Sequence, residues 1–185
     1  MKKRFFALLI ILMPFFASSQ NLVVFNLNEF AQYKAENGDD FLVVPFDGKS
    51  AHEIYNELAS NVCSVYNDPS KVMSVVEDTS IKIRAFSDDI IRLHFMGLTQ
   101  PVGAYYQLEF KIKDGRVRVS APYVEETLWL KGRENGNFPK AVKGYFKDGK
   151  LKEKFAKDYE AVVDKMNAKI NFILGITKTA EDDNW

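Results

Sequence analysis

The sequence predicts an α+β fold, a two-layer sandwich in which an antiparallel sheet carries its helices on one face, in the order strand, helix, four strands, long helix. Three observations carry this. Apolar residues repeat at helical spacing from Ile54 to Val65, alternate at strand spacing from Ile81 to Ala121, and return to helical spacing from Leu151 to Ile173. Two amphipathic helices and a sheet with a single apolar face can bury their apolar surfaces together only as two layers. The 185 residues, 46% of them apolar, suit one domain with an adequate core. One Cys cannot close an intrachain disulfide, and two His cannot build a His-rich metal centre. Equal numbers of basic and acidic residues, 25 of each, exclude a strongly basic nucleic-acid binder.

The elements follow in chain order. Lys2, Lys3 and Arg4, the apolar run Phe5 to Phe16 and the small residues Ala17-Ser18-Ser19 before Gln20 form the pattern of a cleavable export signal over residues 1–19. The apolar run, interrupted by Pro14, is shorter than the ~20 residues a bilayer span needs. No Cys follows it for acylation, so the expectation is an exported protein, periplasmic or extracellular, soluble, not a lipoprotein, with no transmembrane segment after cleavage. Removing three basic residues leaves 22 against 25 acidic ones, a mature charge of −3. Residues 20–40 read as a lead segment, a short strand at Leu22 to Phe25 and then a helical turn, closed by the Asn37-Gly38-Asp39-Asp40 turn. Phe41 to Val44 is an apolar, branched run that reads as a buried strand stopped by Pro45 and Asp47-Gly48.

Ser50-Ala51-His52-Glu53 is a capping box, and Ile54, Leu58, Val62 and Val65 continue it as a helix that Asn67-Asp68-Pro69 ends. Cys63, beside Ala59 and Val62, is expected to be a buried thiol. The sheet follows. Ile81, Ile83 and Ala85, then Ile91, Leu93 and Phe95, then the even positions from Ala104 to Ile112 supply the inward face. Asp114-Gly115 between Lys113 and Arg116 is a two-residue hairpin signal, with Val117, Val119 and Ala121 inward beyond it. Residues 127–150 read as a loop and edge segment, with Trp129 packed on a sheet edge and Gly132 to Asn137 as loop. Residues 151–175 read as a packing helix capped by Gly175, and residues 176–185 as an acidic tail.

This order matches the β-α-β4-α plan of TATA-binding-protein-like and helix-grip folds, an analogy of architecture that says nothing about chemistry. Asp47-Gly48-Lys49-Ser50 followed by Ile54-Tyr55-Asn56, and then Ile112-Lys113-Asp114-Gly115-Arg116-Val117-Arg118, resemble the secreted Bacteroidota family of domains of unknown function numbered 4468. The resemblance spans residues 41–126. It implies a TBP-like fold and export, and it transfers no catalytic or binding residue.

The sequence holds no nucleophile elbow, His-Glu-x-x-His pair, phosphate loop or dinucleotide fingerprint. His52 reads as a solvated residue on a helix's first turn and His94 as one on the wet sheet face among cations. Asp39-Asp40, Asp88-Asp89 and Glu125-Glu126 read as turn and strand-end residues. No catalytic residue, metal site or cofactor is assigned, and the chain reads more as a binding module than as an enzyme. One asymmetry stands out. The outward face displays Lys82, Arg84, Arg92, Lys111, Lys113, Arg116 and Arg118, with Tyr105, Gln107 and His94 among them and Glu109 as the only acid.

Such a face either serves solubility or attracts an anionic partner. The expected contacts are Arg84, Arg92, His94, Lys111 and Arg118. The expected partners are an acidic glycan, an envelope component such as a lipopolysaccharide phosphate, or an acidic protein surface; export disfavours nucleic acid. Two alternatives stand beside this reading. One is a carrier of a small hydrophobic ligand between the long helix and the sheet, near Tyr106, Phe110, Phe155 and Tyr159. The other is an extracytoplasmic hydrolase using His52 or His94.

Overall fold

Ser50 starts the first helix, α1 (Ala51–Val65), by the expected reciprocal cap: its hydroxyl accepts from the Glu53 N–H, and the Glu53 carboxylate accepts from the Ser50 N–H at 2.8 Å. The computed structural model describes residues 22–95 and 97–176, so the expected export signal and the tail beyond Ile176 lie outside the described residues. Ahead of α1 come β1 (Phe25–Leu27), β2 (Tyr33–Ala35) and β3 (Phe41–Pro45). After it come a short helix α2 (Pro69–Val72) and the strands β4 (Met73–Val76), β5 (Ser80–Phe95), β6 (Leu98–Lys113), β7 (Arg116–Ser120), β8 (Tyr123–Val124), β9 (Thr127–Leu130) and β10 (Arg133–Asn137). The chain ends in α3 (Phe138–Tyr145), the small hairpin β11 (Phe146–Lys147) and β12 (Lys150–Leu151), a 3-10 turn at Glu153–Phe155, and α4 (Ala156–Ile173).

All strand pairings are antiparallel, and β6 is the spine of the main sheet. One of its edges is paired along its length by β5, and the other is shared in succession by β9, β8 and β7, with β3 outside β7. Its even positions from Val102 to Ile112 are buried, as are Ile81, Ile83 and Ala85 of β5 and Val117 and Val119 of β7. Ile54, Leu58 and Val62 of α1 and Val162, Met166, Ile170 and Ile173 of α4 are buried in the same core. The α4 side of the sheet is thus filled by packed side chains. Tyr106 and Phe110 are buried under the helices, while Phe155 and Tyr159 sit half-buried at the start of α4, apart from them.

The structure departs from the sequence expectation in several places, among them β3, which is not a buried strand but an edge strand in which only Val44 is buried. The lead segment holds no helical turn: β1 and β2 form a hairpin, and the Asn28 carboxamide oxygen accepts from the Phe30 and Gln32 N–H groups to shape its loop. The runs 81–86 and 91–95 are one strand, bulged between Ser87 and Ile91 so that Ile90 and Ile91 are both buried. Residues 127–150 do run along a sheet edge, with Trp129 on β9, but they are not loop. Gly132 to Asn137 includes strand β10, and Phe138, Val142 and Tyr145 form the buried stripe of α3, capped by the Asn137 side chain. The last helix begins at Ala156, because Leu151 is bound into a strand pair with Phe146.

Cys63 is exposed, not buried, since the inward line of α1 is Ile54-Leu58-Val62 and one further residue turns the side chain about 100° away. Gly175 does cap α4: at φ +70° it donates to the Phe172 carbonyl while Ile176 donates to that of Asn171.

A candidate binding face on the open side of the sheet

Outward positions of the paired strands fall into rows. Ser74, Lys82, Glu109, Ser120 and Phe41 share one row; Lys111, Arg118 and Val43 the next; Lys113, Arg116 and Pro45 the one at the hairpin end. In the other direction Arg84, Gln107 and Tyr123 form a row, followed by Phe86 and Tyr105. The alternation of sequence therefore places Arg84, Lys111 and Arg118 on one exposed face, as expected.

Partners from other strands change its charge. Glu109 is not the only acid, because β8 leads Glu125 onto Arg84, whose Nε and Nη2 donate to its two oxygens at 2.6 and 2.9 Å. Glu109 in turn lies 3.1 Å from Lys82, accepts from Ser120 at 3.0 Å and reaches Lys111 at 4.0 Å. The Arg84 guanidinium also covers the Tyr105 ring at 4.2 Å, and Arg118 covers Phe41 at 3.9 Å. Among the described residues, Lys113, Arg116 and Arg118 make no ion pair.

The row of Arg84 borders a groove of about 330 Å³ lined by Ser74, Lys82, Gln107, Glu109, Ser120 and Tyr123. A second groove, of about 580 Å³, lies across Tyr123 and is lined by Phe30, Gln32, Arg118, Glu126 and the paired Lys34 and Asp40, among others. Tyr123 is half-exposed on the ridge between them.

Arg92 and His94 are not part of this cluster. Beyond the bulge the β5–β6 hairpin arm meets the start of α4, where His94 Nε2 lies 2.7 Å from Asp158 and Arg92 lies 3.8 Å from Asp158 and 3.9 Å from Asp89. His94 is thus set against a carboxylate that it shares with Arg92 and against the Phe155 ring. Its Nδ1 is 3.1 Å from Thr99 Oγ1, so a hydroxyl, an imidazole and a carboxylate stand in line. Neither His94 nor Thr99 lines the grooves described above. His52 is exposed and 2.9 Å from Asp78, with Glu77 near enough that the three ligand atoms lie within 4.8 Å of one another. Of the acidic pairs, Asp39 and Asp40 are turn residues, whereas Asp88 and Asp89 lie within the bulge, with Asp89 3.2 Å from Lys165.

The hydrogen bonds from Arg84 hold the Glu125 carboxyl below its ordinary range. Burial pushes Glu109 up, but hydrogen bonds from Lys82 and Ser120 outweigh it and leave the group lowered. A folded-state pKa below the unfolded value contributes stability that is present above the ordinary range near ~4.3 and is lost as pH falls through the folded value. Thermal melts from pH 6 to pH 3 are therefore expected to show a smaller acid-induced loss of Tm for Glu125→Gln than for the wild-type chain. Identical profiles would show that the pair contributes nothing, as many exposed pairs do.

Element order and a main antiparallel sheet with helices and a solvent-facing side define a mixed α+β protein. Its fold is similar to that of a DUF4468 family protein from Bacteroides ovatus ATCC 8483, with a TM-score of 0.50 and 13% identity over 75% of this chain and 86% of that one. A TBP-like protein from Parabacteroides distasonis ATCC 8503 aligns with a TM-score of 0.47 and 14% identity over 75% and 92% of the two chains. The first of these agrees, at the level of fold, with the resemblance carried by Asp47 to Asn56 and Ile112 to Arg118. No family model matches the sequence, and no curated protein matches it.

Proposed function

We propose that this chain is an exported, non-enzymatic binding module that holds an anionic partner on the open face of its sheet, at the end formed by Lys111, Lys113, Arg116 and Arg118. The observation that carries the reading is the register of β6 and β7, which sets Lys111 directly opposite Arg118 and Lys113 opposite Arg116. Like charges facing each other across a strand pair repel, and a bound anion relieves that repulsion while gaining two cations per row. Arg84 borders this end but is engaged by Glu125, and Arg92 and His94 serve the hairpin arm. Within the proposal the core follows the β-α-β4-α plan of TBP-like folds through β3, α1, β4 to β7 and α4. Export rests on the basic, apolar and small-residue pattern of residues 1–19.

The test uses dextran sulfate as a simple polyanion. Wild-type protein is expected to bind it at low salt and to weaken steeply as salt rises. Lys111→Glu with Arg118→Glu is expected to lower affinity at least tenfold with Tm unchanged, while Arg92→Gln stays within twofold. Equal binding by the double variant, or no binding at low salt, overturns the reading.

A further inference from the structure

Beside the basic end, the two grooves share Ser120, Ala121 and Tyr123 in their walls, and their chemistry is narrower than a demand for negative charge. We infer that this pair of grooves is a subsite for an acidic polysaccharide, with one sugar ring stacked on Tyr123 and its carboxylate directed to Arg118, since Lys82 is engaged by Glu109. The inference rests on the reading of the open face as a binding surface and deepens it.

Three features support it. Tyr123 is 53% exposed on the ridge between grooves of about 330 and 580 Å³, so the apolar C–H face of a pyranose can lie on its ring while the chain continues to both sides. Groove volumes of this size fall in the range of small-molecule clefts, ~300–1,000 Å³. The first groove offers groups that both donate and accept, namely Ser74, Gln107 and Ser120, with Lys82 as a donor and Glu109 as an acceptor. Sugar hydroxyls also donate and accept at the same atom, so this set matches them, whereas a plain polyanion uses only the cations.

Glu109 is fixed by Lys82 and Ser120, and Arg84 by Glu125, which holds the groove walls in place before a ligand arrives. An extended peptide is less well served, because β6 is already paired on both edges along this stretch and offers it no free backbone ladder.

The experiment compares polygalacturonate, neutral dextran, poly-glutamate and dextran sulfate on the full-length mature chain. Wild-type protein is expected to prefer polygalacturonate to dextran and to poly-glutamate. Tyr123→Ala is expected to weaken polygalacturonate binding at least tenfold while leaving dextran sulfate binding within twofold, and Gln107→Ala to weaken the first alone by a smaller factor. If Tyr123→Ala binds polygalacturonate like wild type while Lys111→Glu with Arg118→Glu abolishes binding of both acidic polysaccharides, the basic end acts alone and the subsite is overturned with the proposed function intact. Poly-glutamate binding that depends on Tyr123 and exceeds that of polygalacturonate assigns the grooves to an acidic peptide and overturns the glycan subsite. Binding of none of the four overturns both readings.

Discussion

Replacing Gly103 by alanine is expected to lower the melting temperature by ~6–12 °C, the equivalent of ~3 kcal/mol for a chain of this size. Gly103 lies on β6 opposite the bulge of β5 and pairs with Trp129 of β9 on its other side. A Cβ added there would stand 2.5 Å from Phe86 Cζ, 2.6 Å from the Ser87 carbonyl oxygen and 3.0 Å from Asp88 Cα. The phenyl ring can turn away, but the carbonyl and the Cα belong to the bulge itself. Moving them shifts the segment that buries Ile90 and Ile91 together.

A second variant separates the two causes. If backbone approach is the reason, Phe86→Ala restores little of the loss in Gly103→Ala; if the ring alone is the obstacle, it restores most of it. A change below 2 °C in Gly103→Ala on thermal unfolding followed by circular dichroism would show that the bulge yields freely. The consequence reaches the hairpin arm, because the same bulge diverts Arg92 and His94 away from the binding face and toward α4.

That bulge also shows where sequence reasoning stops. Alternation from Ile81 to Ala121 is sufficient to place Lys82, Arg84, Lys111 and Arg118 outward, because side-chain direction along a strand is a local property. It reads Ser87-Asp88-Asp89 as a break, since strand-poor residues carry no mark that tells a bulge from a turn. The charge of the face is a different matter. Glu125 reaches Arg84 from 41 residues away, and Asp158 reaches His94 from 64 residues away, so no local pattern contains either pair. The α3 stripe of Phe138, Val142 and Tyr145 was legible at helical spacing but is masked by the Gly- and Asn-rich run before it. Tyr123 follows Pro122 at a strand end, and only the placement of β8 against β6 reveals that it divides two grooves.

The second large effect is expected at Asn167 and Asn171, one helical turn apart on α4 and both buried. Each carboxamide does the work of a neighbouring strand. Asn171 Oδ1 accepts from the Val23 N–H at 2.8 Å and its Nδ2 donates to the Val23 carbonyl at 2.8 Å; Asn167 does the same for Phe25 at 3.0 Å in both directions. The N-terminal segment is thereby held on the helix by its backbone, with Val23, Phe25 and Leu27 buried beside it.

Leucine at either position removes a donor and an acceptor together and leaves a buried N–H and C=O without partners, each costing ~1–3 kcal/mol. Asn171→Leu is therefore expected to destabilise by ~3 kcal/mol, and Asn167→Leu by a similar amount. The readout that identifies the cause is hydrogen exchange. The Val23 and Phe25 amides are expected to exchange at least a hundredfold faster in the respective variants, while the β5 and β6 amides keep their protection relative to the lowered global stability. Unchanged exchange at Val23 in Asn171→Leu would show that apolar burial alone holds the segment. The clamp bears on the binding face as well, because the same hairpin supplies Phe30, Gln32 and Lys34 to the groove beyond Tyr123, and a segment that detaches takes that wall with it.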